Sequence, residues 1–285
     1  MSGDGLSDDP TGSPETASAD AFPRGEDEFG DAVESFRMPL MDHLHELRRR
    51  LIISIVATLV CTLICFAFVE EIWAFLVGPM NEALEASETG TMAITEPLEG
   101  FVTLLKVAGV AGVAMTSPIL SWQFWRFVAP GLYAKEKRLL IPLVFASTFL
   151  FLLGIVFCYF VIFQFAFPFF IEVNPEGVQA VLSMKAYLAV ATRLLLAFGI
   201  AFQLPVVVFF LSKAGLIDHH DMLRFFKYAV VCSFVVSAML TPPDVVSQLL
   251  MAGPLLILYC VGIIIARFTS TKEREDPDEA EVAEA

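Results

Sequence analysis

The sequence is short of reactive side chains: four histidines and five cysteines in 285 residues. Cys61, Cys65, Cys158, Cys232 and Cys260 all fall inside apolar runs, and no pair stands at a C-x-x-C or other metal-type spacing. A thiol in such a setting is a small inert side chain, and no disulfide is expected. His45-Glu46-Leu47-Arg48-Arg49 begins like a zinc-protease motif, but Arg49 occupies the place of the required second histidine. There is no G-x-S-x-G nucleophile turn and no Walker A sequence. These absences argue against an enzyme, and no metal or cofactor is expected. Residues 70–100 hold seven glutamates and not one lysine or arginine. Internal repeats are also missing, which weighs against a transporter built from inverted halves.

Apolar residues are what the chain has in abundance. They make up 56% of it, and the mean hydropathy is +0.70, above what a soluble domain carries. Six apolar runs stand out: Leu51–Val69, Phe101–Leu120, Leu139–Phe163, Ala186–Leu211, Tyr228–Leu240 and Leu249–Phe268. About 20 residues of helix cross ~30 Å of hydrocarbon. Five runs meet that length. Tyr228–Leu240 does not, and must recruit Phe225 and Phe226 or sit in locally thinned bilayer.

The net charge of −14 is a property of the two ends. Residues 1–36 carry ten acidic side chains against Arg24, and residues 269–285 carry seven against Lys272 and Arg274. Both stretches are expected to be disordered acidic tails, since they have too little apolar surface to offset ordering entropy. Residues 37–268 form the membrane domain, with fifteen charges of each sign. Leu40, Leu44 and Leu47 share one helical face, so residues 38–50 read as a short amphipathic helix on the membrane surface.

Lys and Arg concentrate in alternate connections. They crowd residues 126–138 and 212–227, and are absent from the segment after the first run. The positive-inside rule then puts both termini in the cytoplasm and segments 70–100 and 164–185 outside. Pro118, Pro142, Pro205 and Pro254 lie within or at the ends of spans, where each removes a backbone donor and tends to kink its helix.

The connection Phe127–Arg138 holds one carboxylate, Glu136, among Arg126, Lys135, Lys137 and Arg138, with Phe127 at its mouth. Its residues alone fit either a loop that only sets topology or a binding site. Intramembrane Arg193 and Gln203 need a partner or a task. Arg193 can pair with a glutamate of the outer segment, such as Glu99, or snorkel. Gln203 suits an interhelical hydrogen bond or a substrate contact. Lys106 is within snorkelling reach of the outer surface.

Four stretches resemble the TatC family, the polytopic core of the twin-arginine protein translocase. They are His43-Leu44-x-Glu46-Leu47-Arg48-x-Arg50, the run from Trp125 to Arg138 containing Phe127-Val128-Ala129-Pro130-Gly131-Leu132-Tyr133, Phe198–Pro205, and Leu240-Thr241-Pro242-Pro243-Asp244-Val245-x-Ser247-Gln248. The resemblance covers residues 38–268. It implies an all-α membrane protein of six transmembrane helices in a cupped bundle, with short fifth and sixth spans. It also implies recognition of twin-arginine signal peptides and export of folded proteins driven by the proton-motive force. Single-span TatA- and TatB-type proteins are the implied partners, in the cell inner membrane. Glu46, Phe127 and Glu136 match the family's signal-binding positions, and Thr241, Asp244 and Gln248 lie where it docks partner helices. Gln203 departs from the glutamate often found there, so no ionised group acts at that position. A small-solute transporter or channel subunit is the alternative function.

Overall fold

The computed structural model describes residues 25–87, 91–94, 96–128, 140–172, 181–241 and 244–269. Six of its helical stretches are long and apolar enough to cross a membrane: Leu44–Phe66, Glu99–Val128, Leu140–Glu172, Met184–Lys213, His219–Leu240 and Val245–Thr269. The chain divides between Arg48 and Arg49, and the contacts described below all lie after that boundary.

Helix α1 runs from Gly25 to Phe66. It absorbs the segment expected to be a separate surface helix. Nothing between Arg48 and Leu51 breaks a helix, since Arg and Leu are good helix formers. It also begins inside the stretch expected to be a disordered tail, because extending a formed helix costs far less than nucleating one. From Leu51 onward its side chains are mostly exposed, Leu51, Ile55, Leu59 and Leu63 among them. An apolar helix with so little buried surface is suited to lipid.

Helix α2, Val69–Ser87, buries Leu76, Val77, Met80, Ala83 and Leu84, a stripe at helical period. The stripe packs on α3, Glu99–Val128, and on α5, Phe163–Glu172. Pro79 lies inside α2 and has no N–H to offer the carbonyl of Phe75, four residues earlier. The Tyr159 hydroxyl donates to that carbonyl at 2.7 Å, and the Tyr187 hydroxyl donates to the neighbouring Leu76 carbonyl at 2.6 Å. Tyr187 is buried, whereas the Tyr159 contact is exposed. Tyr187→Phe should therefore cost about 1–1.5 kcal/mol, the net worth of a buried hydrogen bond to a carbonyl that the helix also serves, and Tyr159→Phe about 0.5 kcal/mol, since an exposed hydroxyl can be replaced by water. Thermal unfolding in detergent checks the ordering, and equal losses would contradict it.

Helix α4, Leu140–Phe157, passes through a π-helical turn, Cys158–Ile162, into α5. It crosses α6, Met184–Ala201, at Gly154, where an added Cβ would stand 2.6 Å from the Phe198 carbonyl oxygen. Only glycine allows that approach. Phe163, Phe167, Leu188, Leu194 and Phe198 fill the core between these helices.

The fourth span breaks at Phe202-Gln203 and resumes as α7, Leu204–Lys213, with Pro205 in its first turn. Helix α7 stops in a Schellman motif. Leu216 N–H reaches the Leu211 carbonyl and Gly215 N–H the Ser212 carbonyl, with Gly215 at φ 70°. Helix α8, His219–Leu240, opens with a capping box from Asp218 to Asp221. Its 22 residues are enough to span, correcting the short fifth span expected from apolarity alone. The added turns include Phe225 and Phe226 together with Arg224 and Lys227. Helix α9, Val245–Thr269, is not short either, and it packs on α7 and α8.

The helical reading holds, with one addition. Strands β1, Thr91–Ala93, and β2, Val181–Ser183, pair in parallel. They join the two segments expected to lie outside. All five cysteines are free thiols.

Candidate functional site

Trp125 fixes the end of α3 from which the basic connection departs. It is buried with Leu143 of α4 and Val206 of α7, and its ring lies 5.0 Å from that of Phe210. Phe127 follows two residues later and is half-buried. Glu136, with residues 129–139, lies outside the described residues. Glu46 is exposed on α1, in the part of the chain before Arg49.

The opposite end of α3 carries a site of which the sequence reading named only Glu99, and with a different partner. Glu99 is 2% exposed. Its Oε1 accepts from the Ser183 hydroxyl at 2.5 Å and from Lys185 N–H at 2.6 Å, while Oε2 accepts from Glu96 N–H at 3.0 Å. Ser183 is also the N-cap of α6. One carboxylate thus stitches the starts of the second and fourth spans, beside the β1–β2 ladder. Lys185 adds an ion pair with Glu96 at 2.8 Å, but both side chains are about half exposed. The available signal was a serine directly before an apolar helix and an acid at the first turn of another.

This arrangement excludes one expected contact. Glu99 is taken up by α6 backbone and Ser183, and Arg193 forms no ion pair among the described residues. Arg193 is exposed on α6. Helical side chains lean toward the N-terminus, so Arg193 leans toward the Met184 end of its span and snorkels that way. Lys106 is likewise exposed on α3.

Gln203 lies at the α6–α7 break, and its amide is matched on both sides by Ser147 of α4. Its Nε2 donates to the Ser147 carbonyl at 2.9 Å, and the Ser147 hydroxyl donates to Oε1. This is the interhelical hydrogen bond expected of it, between neutral groups. Arg193 and Gln203 therefore do not form a polar file among the described residues, the feature a solute pathway requires.

Thr241, Asp244 and Gln248 gather at the α8–α9 turn, and each is tied within the chain. Thr241 is buried and donates to the Ser237 carbonyl at 3.0 Å. Asp244 accepts from Ser247 N–H at 2.7 Å and from the Ser247 hydroxyl at 2.5 Å, capping α9. Gln248 Nε2 donates to the Phe234 carbonyl at 3.0 Å. Tyr259 makes the corresponding tie further along the hairpin, to the Met222 carbonyl at 2.9 Å. The Ser237 hydroxyl is buried without a hydrogen-bond partner.

A family model described as Sec-independent protein translocase protein (TatC) matches residues 42–254. The chain belongs to the TatC family. A TatC protein of Desulforapulum autotrophicum is 42% identical over 247 residues, covering 87% of this chain and 91% of that protein. The TatC protein of Aquifex aeolicus is 40% identical over 240 residues, covering 84% and 98%. Among solved structures, a twin arginine translocase receptor, TatC, crystallised in DDM, superposes with a TM-score of 0.72. It is 39% identical and covers 79% of this chain and 99% of that one. This TatC-family chain is a multi-pass membrane protein, and the family's role is protein transport rather than catalysis.

Proposed function

We propose that this chain is the signal-receptor subunit of a twin-arginine translocase. The match to TatC over residues 42–254 carries the reading. The similarity to a solved twin arginine translocase receptor over nearly all of that receptor's length supports it. The chain recognises signal peptides with two adjacent arginines. It helps export folded proteins across the inner membrane at the expense of the proton-motive force, together with TatA- and TatB-type single-span proteins.

The receptor face is cytoplasmic, as are both termini; the alternation of basic and acidic connections supports this orientation. Glu136 receives the arginine pair, and Glu46 is a further acid of signal-peptide binding. A carboxylate accepts two parallel N–H bonds from a guanidinium, a geometry that an ammonium does not reproduce. Phe127, at the end of a helix anchored by Trp125, offers an aromatic face for an arginine or an apolar signal residue. Lys135, Lys137 and Arg138 repel stray cations, so selection rests on geometry. Thr241, Asp244 and Gln248 form the polar end of the α8–α9 hairpin, where a partner helix finds hydrogen-bonding groups.

The test is direct. The purified chain should bind an Arg-Arg signal peptide at least tenfold more tightly than its Lys-Lys twin, and reconstituted vesicles should show no solute flux. Equal binding of the two peptides would remove the receptor reading and reopen the solute-channel alternative.

A further inference from the structure

Three metal-type ligands converge at the α7–α8 turn and have no part in the function proposed above. Asp218, His219 and His220 each present a ligand atom, and these atoms lie within 4.8 Å of one another. His219 Nδ1 is 2.8 Å from Asp218 Oδ1, and His220 Nδ1 is 3.4 Å from Asp218 Oδ2. The two imidazole centroids are 4.0 Å apart. In tetrahedral coordination at ~2.0–2.1 Å, neighbouring ligand atoms are about 3.3 Å apart. The two imidazoles stand at different oxygens of the Asp218 carboxylate, each within about half an ångström of that edge, so a small turn of the carboxylate or of one ring brings all three groups onto one ion.

Backbone contacts hold the cluster at both ends. The Schellman motif fixes the chain leaving α7, and the capping box fixes it entering α8, with Asp221 Oδ2 accepting from Asp218 N–H at 3.3 Å. The Asp218 side chain is only 13% exposed, while that of His220 is 67% exposed. The carboxylate is therefore held in place and the open side is an imidazole, leaving a coordination position facing solvent.

We infer that Asp218, His219 and His220 form a binding site for a borderline divalent transition-metal ion of the zinc class. Two imidazoles and one carboxylate suit zinc or cobalt, whereas calcium and magnesium prefer all-oxygen sets. Three ligands leave a fourth position for water. Lys213, Arg224 and Lys227 flank the turn in sequence and oppose the added charge, so binding is weaker than at a closed four-ligand site.

The experiment uses the full chain in detergent, without a polyhistidine tag and stripped with chelator. Zn²⁺ is titrated calorimetrically against the protein and against a His219→Gln, His220→Gln double variant, which keeps the Asp218 cap. One equivalent should bind the parent, and at least tenfold more weakly the variant, with the metal-free melting temperatures alike. Equal binding by the two overturns the inference, as does no binding by the parent. Co²⁺ added to the parent alone gives a second reading independent of any variant. Weak visible bands without an intense near-ultraviolet thiolate band are expected. A strong thiolate band would assign the metal to the cysteines and refute the site.

Discussion

Glu99→Ala should destabilise the chain by roughly 2–4 kcal/mol, the loss expected when a buried carboxylate leaves several donors unanswered. Ser183 Oγ, Lys185 N–H and Glu96 N–H all point at this one side chain. Two belong to the start of the fourth span, so the variant should loosen that span from the second. Protease cleavage in segments 70–100 and 164–185 should rise together, since β1 pairs with β2 across them. Glu99→Gln gives the sharper test. Ser183 and Lys185 both donate to the same oxygen, Oε1, and a glutamine carbonyl can keep both. Only the contact with Glu96 N–H turns repulsive. Glutamine should therefore lose less than half of what alanine loses. Lys185→Ala, which breaks only the half-exposed ion pair with Glu96, should leave stability nearly unchanged, because solvent screens such a pair. Equal losses from glutamine and alanine would show that the hydrogen bonds are not the cause. Thermal unfolding in detergent distinguishes these outcomes.

The six spans were legible because a bilayer leaves few solutions: each segment must satisfy its own backbone groups and so must be long, apolar and helical. Local hydropathy is enough to find such segments. The fifth was underestimated because α8 begins nine residues before the apolar run, at His219. Its first turns hold Arg224 and Lys227, and a capping box stabilises a helix start whatever its hydropathy. Helix α1 was divided for a related reason: a change of composition at Leu51 does not amount to a helix break. The pairing of Glu99 escaped because two of its three partners, Ser183 and Lys185, are more than 80 residues away in sequence, and such pairings leave no periodic trace. Gln203 was legible as an interhelical group, but its partner Ser147 was not, since one serine in an apolar run gives no direction. At the α8–α9 turn the polar residues were located correctly. Their internal hydrogen bonds are a second task that their types alone did not reveal, and they compete with any partner helix for the same atoms.

Glu136→Ala should abolish the preference for arginine over lysine, and this is the largest functional effect expected of any single change. Removing Glu136 leaves Arg126, Lys135, Lys137 and Arg138 in the connection, so the variant repels both peptides and loses the fork that distinguishes them. Binding of the Arg-Arg peptide should fall at least tenfold, about 1.4 kcal/mol. The Lys-Lys peptide should lose less, bringing the ratio toward one. Glu136→Gln retains one acceptor but no charge, and should fall between parent and alanine. Glu46→Ala, at the other acid assigned to signal binding, should also weaken the Arg-Arg peptide, since a guanidinium loses a charge-assisted acceptor. Ionic strength separates geometry from simple attraction. An exposed Coulombic contact weakens as the Debye length shrinks from about 10 Å at 0.1 M to 3 Å at 1 M salt. The Arg-to-Lys ratio of the parent should survive that change, since it depends on paired N–H bonds rather than on net charge. A ratio that collapses with salt in the parent, or persists in Glu136→Ala, would reduce Glu136 to one charge in a topology-setting loop.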